Sequence, residues 1–133
     1  MKSYKLYFGT IVIINEKIAE VIINEGVVMD EKIVDEYHEF LLKNLEAPFS
    51  LLINKKFAYA YTFEAQNIIA NLNVIDRMAI VVYTGSGKMA TKTLLSINED
   101  KNWNVRLFSS REEALLWLQN KNSFSSLNEP FYL

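Results

Sequence analysis

Two stretches dense in Ile, Val, Tyr and Phe, Tyr4 to Ile14 and Lys17 to Asn24, are parted only by Asn15-Glu16. Such β-branched and aromatic side chains fit a pleated, half-buried surface. Parallel strands need a crossover of a dozen or more residues, so neighbours this close pair antiparallel, as a hairpin. Asn24-Glu25-Gly26 then breaks the pattern, and from Asp30 the period changes. Ile33, Val34, Tyr37, Phe40, Leu41 and Leu45 recur on one helical face. Asp30 stands at the N-cap, where a side-chain oxygen can take a free backbone N–H. Together with Glu31 it also meets the positive end of the helix dipole. Pro48 follows as a stop signal.

Helical and extended segments then alternate. Phe49 to Asn54 is a short apolar run reading as a buried strand. Lys55 to Tyr61 reads as a loop, and Thr62 caps a short helix that turns Ala65, Ile68, Ile69 and Leu72 inward. Asp76 to Tyr83 contains Met78-Ala79-Ile80-Val81-Val82, an unbroken apolar strand of the kind covered on both faces. Thr84-Gly85-Ser86-Gly87 turns into a helix over Lys88 to Ile97, and Asn104 to Phe108 is the last strand. Ser110-Arg111-Glu112-Glu113 has the form of a capping box before Ala114, Leu115 and Leu118. The expected order is ββαβαβαβα: an α/β fold with one mixed β-sheet and helices packed against it.

With 133 residues the chain fits one domain, assigned to residues 1–120, with a C-terminal tail at 121–133 that is loosely ordered or docks through Pro130-Phe131-Tyr132-Leu133. Its 50% hydrophobic and 23% charged content excludes disorder. Without cysteine there is no disulfide framework, thiolate metal site or Cys nucleophile. The longest apolar runs, such as Ile11 to Ile14, fall far short of the ~20 residues a spanning helix needs, which argues against membrane insertion. The N-terminus does not read as a signal peptide, so a cytoplasmic location is expected. Lys+Arg number 14 and Asp+Glu 16, a net charge of −2, and both signs are dispersed, so nucleic acid is not an expected partner.

Thr84-Gly85-Ser86-Gly87-Lys88 follows a strand and opens a helix, as an anion- or phosphate-binding turn does. A full phosphate loop needs a Gly five residues before Gly87 and a Ser or Thr after the Lys; Val82 and Met89 stand there. His38 is the single histidine and lies beside the apolar stripe of its helix, a position suited to a satisfied structural side chain. The carboxylates fall mostly on solvated helix faces, so neither a metal site nor a catalytic acid/base pair is expected. Phe57, Tyr59, Tyr61 and Phe63 follow the buried strand at its carboxyl end, where α/β sheets place ligands. They are candidates for lining a pocket or anchoring an interface, with the alternative that they cap the core. Lys55 and Lys56, just before them, can steer an acidic group.

These features together resemble the SpoIIAA-like branch of the STAS domains over about residues 4–120. The resemblance rests on the hairpin, Asn24-Glu25-Gly26-Val27, Pro48-Phe49-Ser50-Leu51-Leu52-Ile53, Met78 to Val82, and Val105-Arg106-Leu107-Phe108 through Glu112 to Leu118. It implies a mixed sheet with helices mainly on one side, and a protein that works without catalysis by docking on a partner. Some members are switched by phosphorylation of a Ser in an Asp-Ser-x-Gly-like turn. Ala58 to Ala65 has no Asp, Ser or Gly, and Thr62 is its one aliphatic hydroxyl. A phosphate there would sit at a helix N-terminus.

The leading expectation is a non-enzymatic STAS-like protein-interaction or regulatory module with a protein partner or a homodimer, using no cofactor. The alternative is a small-ligand carrier for a lipid-like or nucleotide-like molecule. It would bind at the carboxyl ends of the strands, between the aromatic loop and the Thr84 to Lys88 turn.

Overall fold

The computed structural model describes residues 1–69, 71–99 and 104–120; the 121–133 tail lies outside them. In chain order the elements are β1 (Lys2–Leu6), β2 (Gly9–Asn15), β3 (Ile18–Ile23), β4 (Val28–Met29), α1 (Glu31–Asn44) and β5 (Phe49–Lys55). There follow β6 (Ala60–Tyr61), α2 (Phe63–Gln66), β7 (Ile75–Val82), α3 (Gly85–Ile97), β8 (Val105–Phe108) and α4 (Arg111–Gln119). The main sheet runs β1-β2-β3-β5-β7-β8; β4 and β6 form a separate two-stranded ladder. β1, β2 and β3 pair antiparallel, and β3, β5, β7 and β8 pair parallel. This is an α/β fold on a mixed sheet.

The expected hairpin across Asn15-Glu16 forms between β2 and β3, but a further strand precedes it. The first β-rich run is two strands, because the chain reverses at Tyr7-Phe8, and a three-stranded meander replaces a two-stranded hairpin. Gly9 marks the place: a Cβ there would stand 2.4 Å from the Ile22 carbonyl oxygen, so only glycine lets β2 and β3 approach this closely. At Gly26 the chain needs φ +79° to turn from β3 into β4, again a glycine conformation. Two further short strands, β4 and β6, occupy what the sequence presents as loop.

Strand alternation splits the core into two layers. Ala19, Val21 and Ile23 of β3 lie with Phe49, Leu51 and Ile53 of β5 and Met78, Ile80 and Val82 of β7 on the face covered by α1. Val34, Tyr37 and Leu41 are the residues α1 buries there. On the opposite face Ile18, Leu52, Ala79 and Val81 pack against Ala114 and Leu118 of α4. β5 is therefore buried almost throughout, each fully buried aliphatic side chain contributing about 1.5–3 kcal/mol. Three successive crossovers step in one direction, β3 to β5 to β7 to β8. The right-handed rule then lays their helices on one face, while α4, after the last strand, is free to cover the other.

The caps follow the sequence. Asp30 Oδ1 accepts from Ile33 N at 2.9 Å, Thr62 Oγ1 from Ala65 N at 3.1 Å, and Ser110 Oγ from Glu113 N at 3.3 Å. The Ser110 hydroxyl also donates to Glu112 Oε1 at 3.2 Å. α3 starts at Gly85, three residues ahead of the expected Lys88, because Thr84 is its cap.

Candidate functional site

At the carboxyl ends of β3 and β5 two segments are stitched together. Gly26 N donates to Ala58 O (2.8 Å), Ala60 N to Val27 O (3.0 Å) and Thr62 N to Met29 O (2.9 Å). Ala58 N also donates to Glu25 Oε1 at 3.0 Å. These bonds fix the aromatic segment over the sheet end. In a continuous strand Phe57, Tyr59, Tyr61 and Phe63 would share one side. Here regular pairing covers only Ala60 and Tyr61, and Thr62 redirects the chain into α2, so the four rings separate. Tyr59 and Tyr61 are half-buried and turn inward to a cavity. Phe57 and Phe63 are 40% and 73% exposed. The four are therefore not one surface; the inward pair belongs to the interior wall and the outward pair to the rim.

The cavity is small, about 30 Å³, and lies between the sheet and the helices α1 and α3. Val21, Ile53, Met78, Ile80 and Leu94 supply much of its apolar wall, with Tyr37, Lys55, Tyr59 and Tyr61 as polar members. The Tyr59 and Tyr61 hydroxyls share one hydrogen bond of 3.1 Å, and their rings meet edge-on at 5.5 Å. Lys55 Nζ sits 5.2 Å and 5.5 Å from these two ring centroids. Burial pushes the Lys55 amine down to about 8, since desolvation penalises its charged form. Burial raises the hydroxyls of Tyr37 and Tyr59 well above the usual phenol range and that of Tyr61 to about 12. All three remain neutral, protonated donors at neutral pH.

The Thr84 to Lys88 turn is not brought to this cavity. It borders a separate open hollow with Leu107, Phe108 and Ser109. Within the turn Thr84 Oγ1 accepts from Gly87 N at 2.9 Å, and Thr84 O accepts from Lys88 N at 3.0 Å. Ser86 Oγ lies 3.3 Å from Thr84 Oγ1. Two of its donors are thus used internally, and the Gly85 and Ser86 amides head the helix. α3 reaches the cavity through Leu94 and Leu95 instead. The cavity at the aromatic loop and the hollow at the Thr84 turn are lined by different residues.

His38 is tied down: its Nε2 lies 2.8 Å from the Ile69 carbonyl oxygen. Burial lowers its pKa, opposed in part by that hydrogen bond. Among the described residues no group of three or more His, Asp or Glu is placed to hold a metal.

The sequence reading misses a second buried charge. Glu20, 4% exposed, receives Arg111 Nε at 3.1 and 3.0 Å and Arg111 Nη2 at 2.7 Å. Asn54 Nδ2 donates to Glu20 Oε2 at 2.8 Å, and the Tyr83 hydroxyl donates to Asn54 Oδ1 at 2.8 Å. Burial alone would raise the Glu20 carboxyl; the Arg111 and Asn54 hydrogen bonds outweigh it and hold it below the ordinary value. The one sequence signal was an acidic residue inside an apolar strand, facing a partner 91 positions away.

No protein-family model, curated protein sequence or solved structure matches the chain. Fold and site define an α/β domain with a six-stranded mixed sheet, a small tyrosine- and lysine-lined cavity on one face and an aromatic rim above it. No helix among the described residues is long and apolar enough to cross a membrane.

Proposed function

We propose that this chain is a non-enzymatic, STAS-like interaction module that docks a partner protein through the rim at the carboxyl ends of β3 and β5. The observation that carries this reading is the concentration of exposed apolar side chains there. Tyr7 is 67%, Val28 54%, Phe57 40% and Phe63 73% exposed. Single exposed apolar residues are ordinary, whereas several at one place mark interaction sites. They come from three separate segments bonded to one another. Asn24 N donates to Phe8 O (2.9 Å), and the bonds from Gly26 to Thr62 continue the chain of links. A platform held this way loses little freedom when a partner arrives, which favours affinity. Regulation, if by phosphate, would act at Thr62, whose hydroxyl now caps α2.

The carrier reading has weaker support. Pockets for drug-sized ligands run to roughly 300–1,000 Å³, and the cavity has about 30 Å³, too little for a lipid or nucleotide.

Native mass spectrometry of the protein isolated gently from its own host cells tests the proposal. A stoichiometric protein partner or second copy is expected. Replacing Phe57 and Phe63 together by Ala is expected to weaken that complex at least tenfold, about 1.4 kcal/mol, while stability in urea changes by about 0.5 kcal/mol or less. Unchanged association in the double variant removes the rim from the reading. A stoichiometric lipid or nucleotide adduct without a protein partner would replace the reading with the carrier.

A further inference from the structure

Strands β2 and β3 are apolar on both faces. Ile11 and Ile13 of β2, with Val21 and Ile23 of β3, lie in the core layer under α1. Side chains alternate along a strand, so Val12 and Ile22 stand on the opposite face. Ile14 and Ile18 share it, packing with Ala114 and Leu118 of α4. Antiparallel strands with one face in water alternate apolar and polar residues; apolar residues on both faces belong to strands covered twice. The cover from α4 stops at Ile18 and Ile14. Val12 and Ile22 are half-buried, and among the described residues neither core layer includes them. Between them Glu20, paired across the ladder with Val12, is already shielded by Arg111.

The chain leaves α4 at the border of this face. Leu118 and Gln119 edge an open hollow with Asn15, Glu16, Lys17 and Ile18, the turn that joins β2 to β3. Residues 121–133 follow, and Phe124, Leu127, Phe131, Tyr132 and Leu133 are large apolar side chains spaced among Ser, Asn, Glu and Pro. A chain of that length spans up to about 43 Å when extended. From Ile18 to Ile22 is roughly 13 Å along β3, and β2 lies about 5 Å to the side. The reach is ample.

We propose that the segment 121–133 of the same chain docks on the uncovered face of β2 and β3, its apolar side chains covering Val12, Ile14 and Ile22. Tethering at Asn120 makes the contact intramolecular, at an effective concentration no free partner matches. Lys5 stands opposite Thr10 on this face, and Glu129 gives the segment a carboxylate to meet it. The face and the docking rim are built from different residues, so this inference and the interaction reading stand or fall separately.

The test uses the full chain, which has no cysteine, so Ser126→Cys supplies one thiol for a nitroxide label. Methyl signals are read by NMR with the label oxidised and reduced. The expected result is a strong loss of intensity at Val12, Ile14 and Ile22 in the oxidised sample, with the rim methyls of Val28 unaffected. Adding Phe124→Ser, Leu127→Ser, Phe131→Ser and Leu133→Ser removes the apolar anchors, and the ratio of docked to free segment is expected to fall at least tenfold. The intensities of Val12 and Ile22 then return. These substitutions lie outside both core layers, and the unchanged spectrum of the α1-face methyls establishes that the variant is folded. Intensity loss that survives them reports tethering alone and overturns the proposal. So does loss centred on Val28, or no loss at Val12 and Ile22. Loss seen only when labelled chains are mixed with label-free, isotope-enriched chains assigns the face to a second copy and overturns it too.

Discussion

Glu20 and Lys55 lie on neighbouring parallel strands, on opposite faces of one sheet, and they meet the burial of a charge in opposite ways. On the α4 face, Arg111 enters with the first turn of the helix, grips both Glu20 oxygens, and Asn54 adds a further donor. On the α1 face Lys55 has aromatic rings for company and no carboxylate among the described residues. The difference teaches what each charge is for. A charge satisfied by its own chain fastens one element to another, here α4 to β3 and β5. Lys55 instead lies half-buried against two tyrosine rings.

The sharpest way to break this comparison is to remove one half of the closed pair. Arg111→Ala leaves Glu20 buried without its cation and is expected to cost about 2–4 kcal/mol, read as a lower urea midpoint at unchanged slope. That range sits below the figure for a wholly buried pair because the Arg111 side chain is 39% exposed. A loss of about 0.5 kcal/mol or less, the ordinary scale of a surface change, would make the pair as inert as any surface contact. The opposite sign is expected at the open site. Lys55→Met replaces a desolvated ammonium by an apolar side chain of similar length and should raise stability by up to about 1 kcal/mol.

Smaller effects appear against pH. The Lys55 amine is at about 8 in the folded chain and at 10.5 unfolded, so between these values the unfolded state holds more protons and stability climbs as pH rises. The climb is expected in urea titrations from about pH 8 to 10 and is absent in Lys55→Met. Above about pH 10 the raised tyrosines reverse the trend, because the unfolded phenols ionise first. Glu20 supplies the acid-side counterpart. Its folded pKa lies below 4.5, so its contribution is complete above that pH and is lost as pH falls through the folded value.

The smallest expected effect is at His38, whose ring bonds to the Ile69 carbonyl oxygen. Its folded pKa lies below 6.5, so the unfolded state gains the proton first and stability declines as pH falls below about 6.5. His38→Gln, which does not titrate, should flatten that part of the profile; an unaltered slope would assign it to other groups.

Much of the frame was legible. α1 could be read from its apolar stripe and the Asp30 cap, β5 and β7 from apolar runs suited to a sheet covered on both faces, and the parallel connections from the spacing of strands and helices. The turn at Tyr7-Phe8 was not, because no Asn-Gly or Pro-Gly pair announces it, and Gly9 reads equally as a residue within a strand. The aromatic segment was found as a place but not as a geometry. Whether Tyr59 and Tyr61 face in or out depends on pairing between β4 and β6, a contact between segments about thirty residues apart. Lys55 was noticed only as a neighbour of that segment, since burial of a lysine leaves no trace in its own spacing.

The amino-acid sequence by itself determined most of the helical and extended segments, and that they build an α/β fold on a mixed sheet. Periodicity, caps and chain-break residues act over a few positions and need no distant partner. Only the tertiary structure decided the two faces of that sheet: which charge meets a counter-ion, which rings close over a cavity and which remain on the rim. Those outcomes depend on which segments packing brings together, as when Arg111 reaches Glu20 across 91 positions while neither ion pair among the described residues includes Lys55. Electrostatic satisfaction is a property of proximity in space, and spacing along the chain does not encode it.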